Sequence, residues 1–236
     1  MVNITTLIKN DIKNIFRDKT LFFILFVPFI FILINRYAFP LIQLYLPVIH
    51  EYKLLVLFVF TSVGVLFPAM IVSFIMIDEK DLDLLKAFRV LPISTAYFLM
   101  YRLFFITIAG FVFSFGILYY SGFEVYSLIE CYLLSLVFSL SAPFAGLIII
   151  TWAGNKIEAA TFFKGITFLF IFPLVSVFIP GTIEELFYII PNYWILQLML
   201  KIPRNEAIWV PVLLVFILHL LLVIVMGIVF SRKNVY

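Results

Sequence analysis

The ionisable side chains of this 236-residue chain gather in a few short stretches, and their order limits the chemistry open to them. The densest is Asp78-Glu79-Lys80-Asp81-Leu82-Asp83, followed by Lys86 and Arg89 before Pro92. Acids first and bases last complement a helix dipole, and Pro92 ends the helix. Leu84, Leu85, Phe88 and Leu91 add an apolar stripe at i, i+1, i+4 and i+7. A short helix so patterned is suited to docking in a groove of a partner; the plainer reading is a surface loop that turns the chain.

Catalysis finds little to work with. Two histidines, one cysteine and no deeply placed carboxylate pair leave no nucleophile–base set. The lone Cys131 excludes an internal disulfide framework and a multi-cysteine metal site, and no metal or cofactor site is expected. No G-x-x-x-x-G-K-[ST] phosphate loop occurs, so the chain does not hydrolyse ATP by that route.

The elements that position these charges are membrane spans. Hydrophobic residues make up 65% of the chain, charged residues 12%, and the mean hydropathy is +1.22. That is the composition of an integral membrane protein rather than a soluble one. A helix rises about 1.5 Å per residue and the hydrocarbon core is about 30 Å thick, so a span needs roughly 20 apolar residues. Six stretches qualify: Leu21–Leu46, Leu54–Ile77, Tyr97–Tyr120, Cys131–Gly154, Gly165–Ile183 and Ala207–Ser231. A seventh apolar run, Leu186–Leu200, is short and broken by Pro191-Asn192, and reads as a re-entrant or interfacial helix. Residues 1–236 therefore form one all-α membrane domain.

Basic residues set the orientation. Twelve of the 16 lie on one side of this layout and four on the other (Arg36, Lys53, Lys201 and Arg204), which puts both termini in the cytoplasm. Residues 3–19 carry Leu7, Ile8, Ile12, Ile15 and Phe16 on one helical face with charges opposite, the pattern of a helix lying along the inner membrane surface. Pro28, Pro68, Pro143 and Pro173 each interrupt a span. Arg36 lies about 15 residues into the first span, hence about 22 Å from its inner edge. With Asn35 it either reaches the outer headgroups or lines a translocation path. His219, midway along the last span, reads as a buried histidine bonded to a neighbouring helix. No acid lies deep in a span, which argues against a proton- or sodium-coupled carrier.

A resemblance adds to this reading. Asp78-Glu79-Lys80-Asp81, then Leu91-Pro92-Ile93-Ser94, then Tyr97-Phe98-Leu99-Met100-Tyr101-Arg102 resembles the coupling-helix region of the type-2 ATP-binding-cassette (ABC) exporter permeases. The similarity is closest to the small fluoroquinolone-exporter-type permeases. Asn10-Asp11, Arg17-Asp18, Arg36-Tyr37 with Pro40, Asn155-Lys156-Ile157-Glu158, Lys164-Gly165 and Pro191-Asn192-Tyr193-Trp194 match in the same order along nearly the whole chain. Where that family has Gly-Thr after the acidic cluster, this chain has Asp83-Leu84.

The resemblance implies a bacterial cell-membrane permease that works as a homodimer above two copies of a cytoplasmic ATPase, which binds the ATP and Mg. It implies a coupling helix at residues 78–92, contacting that ATPase through Asp78, Glu79, Lys80, Asp81, Leu82, Asp83, Leu85, Phe88 and Arg89. The loop from Gly154 to Phe163 would be a lesser contact, through Asn155, Lys156 and Glu158. Asn35, Arg36, Tyr193 and Trp194 are candidates for the translocation path. The cargo would be hydrophobic or amphiphilic, a drug-like molecule or an amphipathic peptide. The competing reading is a non-transport assembly or receptor protein that docks its partner through residues 78–92.

Overall fold

The structure is a computed structural model that describes residues 4–81, 95–179, 181 and 184–234. All regular structure among these residues is helical. Six helical stretches are long and apolar enough to cross a membrane: Lys19–Tyr45, Pro47–Lys80, Tyr97–Tyr120, Leu128–Trp152, Lys156–Val177 and Trp209–Lys233. The protein is a multi-pass membrane protein, and its six spans return the chain to the end of the bundle where it began.

Burial sorts the spans into two groups. Within their most apolar windows the second and fourth are 72% and 78% buried by the rest of the chain, whereas the first and sixth are each 17% buried. The second and fourth spans are therefore the axis of the packed core, around Phe58, Leu66, Ala69, Phe138, Ala145 and Ile149. The others lay an apolar face outward, as lipid or a second chain requires. Close packing in a membrane depends on small residues at helix crossings. Gly64 of the second span lies so near Ile117 of the third that a β-carbon there would collide with it.

The prolines break three spans. The second divides into Lys53–Gly64 and Phe67–Asp81 just before Pro68, and the fourth into Leu128–Ser139 and Ser141–Trp152 just before Pro143. Pro173 turns the end of the fifth into a 3-10 segment, Phe172–Val177. Pro28 differs: it sits inside an unbroken helix, Lys19–Leu33. The first span instead widens into a π-turn at Ile34–Ala38, where the Phe39 amide donates to the carbonyl of Ile34. Pro40, which has no amide proton to donate, follows directly.

Two span starts move furthest from the sequence expectation. The fifth span begins at Lys156, because Asn155 caps it by accepting from the Glu158 amide at 2.9 Å. The expected loop from Gly154 to Phe163 is consequently almost all helix. The second span starts earlier than Leu54, through a 3-10 turn at Pro47–Tyr52.

The amphipathic N-terminal helix runs Ile4–Arg17. Its inward face is not the purely apolar one expected. Asp11 and Ile15 are buried, whereas Ile12 and Phe16 point outward, 43% and 62% exposed. The reason is a charge waiting in the bundle. Lys9, Lys13 and Arg17 are exposed, as an anionic headgroup layer would favour. The acidic cluster Asp78–Asp81 forms the last turn of the second span's helix, and the remainder of the expected coupling helix, with Leu82, Asp83, Leu85, Phe88 and Arg89, lies outside the described residues.

Candidate functional site

At the end of the bundle that holds the termini, three elements converge on one guanidinium. Arg102, in the second turn of the third span, is only 1% exposed. Its Nη2 lies 2.6 Å from Glu79 Oε1 at the end of the second span and 3.1 Å from Asp11 Oδ1 of the N-terminal helix. Tyr101 Oη donates to the other Asp11 oxygen at 2.7 Å. The guanidinium also lies 4.9 Å from the centre of the Phe98 ring, within cation–π range. Desolvation pushes the Asp11 carboxyl above its ordinary value, outweighing the opposing pull of Arg102 and of the Tyr101 hydroxyl.

A second ionic bridge lies nearby and is more open to solvent. Lys156, at the start of the fifth span, pairs with Asp78 at 2.9 Å and Asp18 at 3.2 Å. Asp18 also caps the first span by accepting from the amides of Thr20 and Leu21. Although desolvation raises the Asp18 carboxyl, these bonds and Lys156 prevail and hold it below its ordinary value. Through these two clusters the N-terminal helix and the ends of spans one, two, three and five are joined by charge. Nε and Nη1 of Arg102 and Oε2 of Glu79 have no hydrogen-bond partner among the described residues. They belong to the two spans that lead into and out of residues 82–94.

Of the expected contact residues, the described ones therefore fall into three roles. Asp78, Glu79 and Lys156 are in the ionic clusters, and Lys80 is exposed on the final turn beside Asp81. Asn155 and Glu158 cap each other: Glu158 accepts from the Gly154 amide at 2.7 Å and from Asn155 Nδ2 at 3.0 Å. Asp11, Tyr101 and Arg102 were visible in the sequence only as parts of the resembling motifs.

Halfway through the bundle lies a second, uncharged cluster. Asn192, in the short helix Pro191–Lys201, is fully buried. Its Nδ2 donates to Phe170 O at 3.1 Å and Ser62 Oγ at 3.3 Å, and Ser141 Oγ donates to its Oδ1 at 3.1 Å. His219 Nε2 lies 3.0 Å from the same Ser141 hydroxyl, and Nδ1 donates to Val215 O at 2.9 Å. Ser62, Ser141, Phe170 and His219 come from spans two, four, five and six. The short helix thus begins mid-bundle, and its far end is tied by Tyr126 Oη donating to Met199 O at 2.7 Å.

The expected path residues come from two elements, the first span and the short helix. Arg36 is exposed and packs against Gly122, just past the end of the third span, so its level is the rim of the bundle away from the termini. Asn35 is fully buried in the π-turn with neither side-chain polar atom partnered among the described residues. Tyr193 and Trp194 lie apart from them, in the short helix. Tyr193 Oη donates to Glu184 Oε1 at 2.6 Å, and Trp194 Nε1 donates to Tyr188 O at 2.9 Å.

Six candidate spans and buried polar ties between them describe a multi-pass helical membrane protein, and comparison with known proteins gives the family. A family model described as "Fluoroquinolones export permease protein Rv2686c-like" matches residues 11–227, and the chain belongs to that family. It is 25% identical over 201 residues to "Fluoroquinolones export permease protein Rv2686c" of Mycobacterium tuberculosis (strain ATCC 25618 / H37Rv), covering 79% of this chain and 77% of the relative. The corresponding protein of strain CDC 1551 / Oshkosh matches to the same extent. No solved structure matches the chain. The chain is a membrane-transport subunit rather than an enzyme.

Proposed function

We propose that this chain is the membrane-spanning subunit of an ATP-driven ABC exporter, two copies of it standing over two copies of a separate cytoplasmic ATPase that holds ATP and Mg. The reading is supported by the family of export permeases to which the chain belongs and by the ionic clusters at the terminal end. The cargo is a hydrophobic or amphiphilic molecule, with drug-like compounds suggested by the relatives' names and amphipathic peptides by the apolar composition of the spans. The observation that carries the mechanism is Arg102 shut between Asp11 and Glu79.

Residues 78–92 act as the coupling helix in this reading, with both termini cytoplasmic. A push on that segment reaches Glu79 at its start and Arg102 in the span that follows it, and through them the N-terminal helix on the membrane surface. Because the contacts are ionic and buried, the elements move together instead of sliding past one another, which is what alternation between inward- and outward-open states needs. The short helix Pro191–Lys201 is the rising limb of a re-entrant loop on the outer side.

Co-purification of an ATPase with the chain, and vanadate-sensitive hydrolysis by the complex, test the assignment. Asp81→Arg and Phe88→Asp should leave the chain inserted and dimeric while detaching or uncoupling that ATPase. Full transport-linked hydrolysis in both variants would remove residues 78–92 from the coupling role.

A further inference from the structure

Resting on the export reading, we propose that Glu184, Tyr188, Tyr193, Trp194 and Gln197 form a recognition site for a hydrophobic organic cation, so that the cargo carries an ammonium or similarly charged group. The argument begins with a carboxylate in an unusual position. Tyr193 Oη donates to Glu184 Oε1 at 2.6 Å and Gln197 Nε2 lies 3.4 Å from the same oxygen, with Gln197 also donating to Tyr193 Oη at 3.0 Å. Tyr193 and Gln197 are one turn apart on a helix that starts at the mid-bundle cluster. The carboxylate they hold thus lies within the half of the bundle away from the termini. Among the described residues no lysine, arginine or histidine pairs with it.

Two further aromatic rings, Tyr188 and Trp194, pack against that carboxylate's anchor, Tyr193. The centres of Tyr188, Tyr193 and Trp194 are 5.1–5.2 Å apart, with planes inclined at 40°, 44° and 84°. Ring faces turned in different directions beside a carboxylate are what binds an organic cation: the faces attract the charge and the carboxylate neutralises it. An interfacial aromatic girdle accounts for rings alone, but not for a glutamate held by one of them, Tyr193, with no counter-ion among the described residues. The wider field agrees. Among the described residues, the end of the bundle away from the termini carries six glutamates against four basic residues, while the other end carries ten basic residues against six acids. A cation leaving toward the acidic end moves down the protein's own field.

The test uses the full chain in nanodiscs of zwitterionic lipid, with neither ATPase nor ATP, so that binding is read apart from transport. The probes are tetraphenylphosphonium and the nearly isosteric anion tetraphenylborate, and the signal is Trp194 fluorescence with Trp152 and Trp209 changed to Phe. Tetraphenylphosphonium should quench saturably and tetraphenylborate should not. Glu184→Gln should weaken phosphonium binding at least tenfold and Tyr188→Leu severalfold, while Glu185→Gln, an exposed neighbour, should bind as wild type. Melting temperatures of the variants separate lost affinity from lost fold, and Tyr188→Leu, at a half-exposed ring, keeps the question answerable if Glu184→Gln unfolds. Equal affinity for the two probes, or wild-type affinity in folded Glu184→Gln, overturns the site. Phosphonium binding without ATP-linked export would overturn the export reading and leave the site standing.

Discussion

At the end of the bundle that holds the termini, Arg102 is enclosed by Asp11 and Glu79; halfway through it, Asn192 is enclosed by Ser62, Ser141 and the Phe170 carbonyl. Each cluster joins at least three separate elements, and each is almost wholly buried. The difference is charge. Near the rim, lipid headgroups and water lie within reach and a carboxylate–guanidinium group is tolerable. In mid-bundle an ion would be far costlier, and the chain uses an amide, two hydroxyls and an imidazole. The charged cluster sits beside the segment proposed to receive force, and the neutral one holds the short helix in place. One acts as a transmission joint, the other as a fixed anchor.

The contrast breaks most visibly at Arg102. Arg102→Met fits the same space but leaves Asp11 and Glu79 facing each other without a cation. Removing one member of a buried ion pair costs about 3–5 kcal/mol. The melting temperature in detergent should fall accordingly, and trypsin should cut after Lys13 and Arg17 as the N-terminal helix loses its anchor. An unchanged proteolytic pattern would mean that Ile15 and its neighbours hold that helix without the charges.

Asn192→Ala probes the neutral anchor. Three hydrogen bonds vanish, and polar contacts between membrane helices average about 0.6 kcal/mol each, so the loss should be about 2 kcal/mol. The loss should leave trypsin cleavage near the N-terminal helix as in wild type, because the two clusters share no residue. If Asn192→Ala frees that helix as well, the joint and the anchor are one cooperative unit.

The spans were legible because apolar runs of this length have no other use, and the breaks at Pro68, Pro143 and Pro173 follow from a missing amide proton. The sites were less so. Asp11 looked like an ordinary surface charge on an amphipathic helix, since helical periodicity reports which residues share a face and not what that face meets. Its partner lies 91 positions along the chain, at Arg102, and a pairing that distant leaves no local trace. For Arg36, counting residues along the first span gives a position late in that span, and its packing against Gly122 adds that the third span has already ended at that level. Glu184 escaped notice because it lies between recognisable spans, and the fold of the short helix carries it inward.

The finest distinction between the clusters is their response to pH. The charged cluster sets two carboxylates against one guanidinium, and burial raises the Asp11 carboxyl above its unfolded value near 3.8. A group whose proton is held more tightly in the fold adds stability that is complete below the unfolded value and is lost as pH rises through the folded one. For Asp11, lowering the pH from neutral toward that window should therefore raise the stability of the fold, as the desolvation of its carboxylate is relieved. Asn cannot titrate, so Asp11→Asn should show a flatter dependence of melting temperature on pH than wild type, though it can still accept from Tyr101. In Asn192→Ala the wild-type slope should persist, because that cluster holds no carboxylate. Parallel curves for wild type and Asp11→Asn would show that Asp11 keeps the same protonation state throughout, and that the joint is a fixed ion pair.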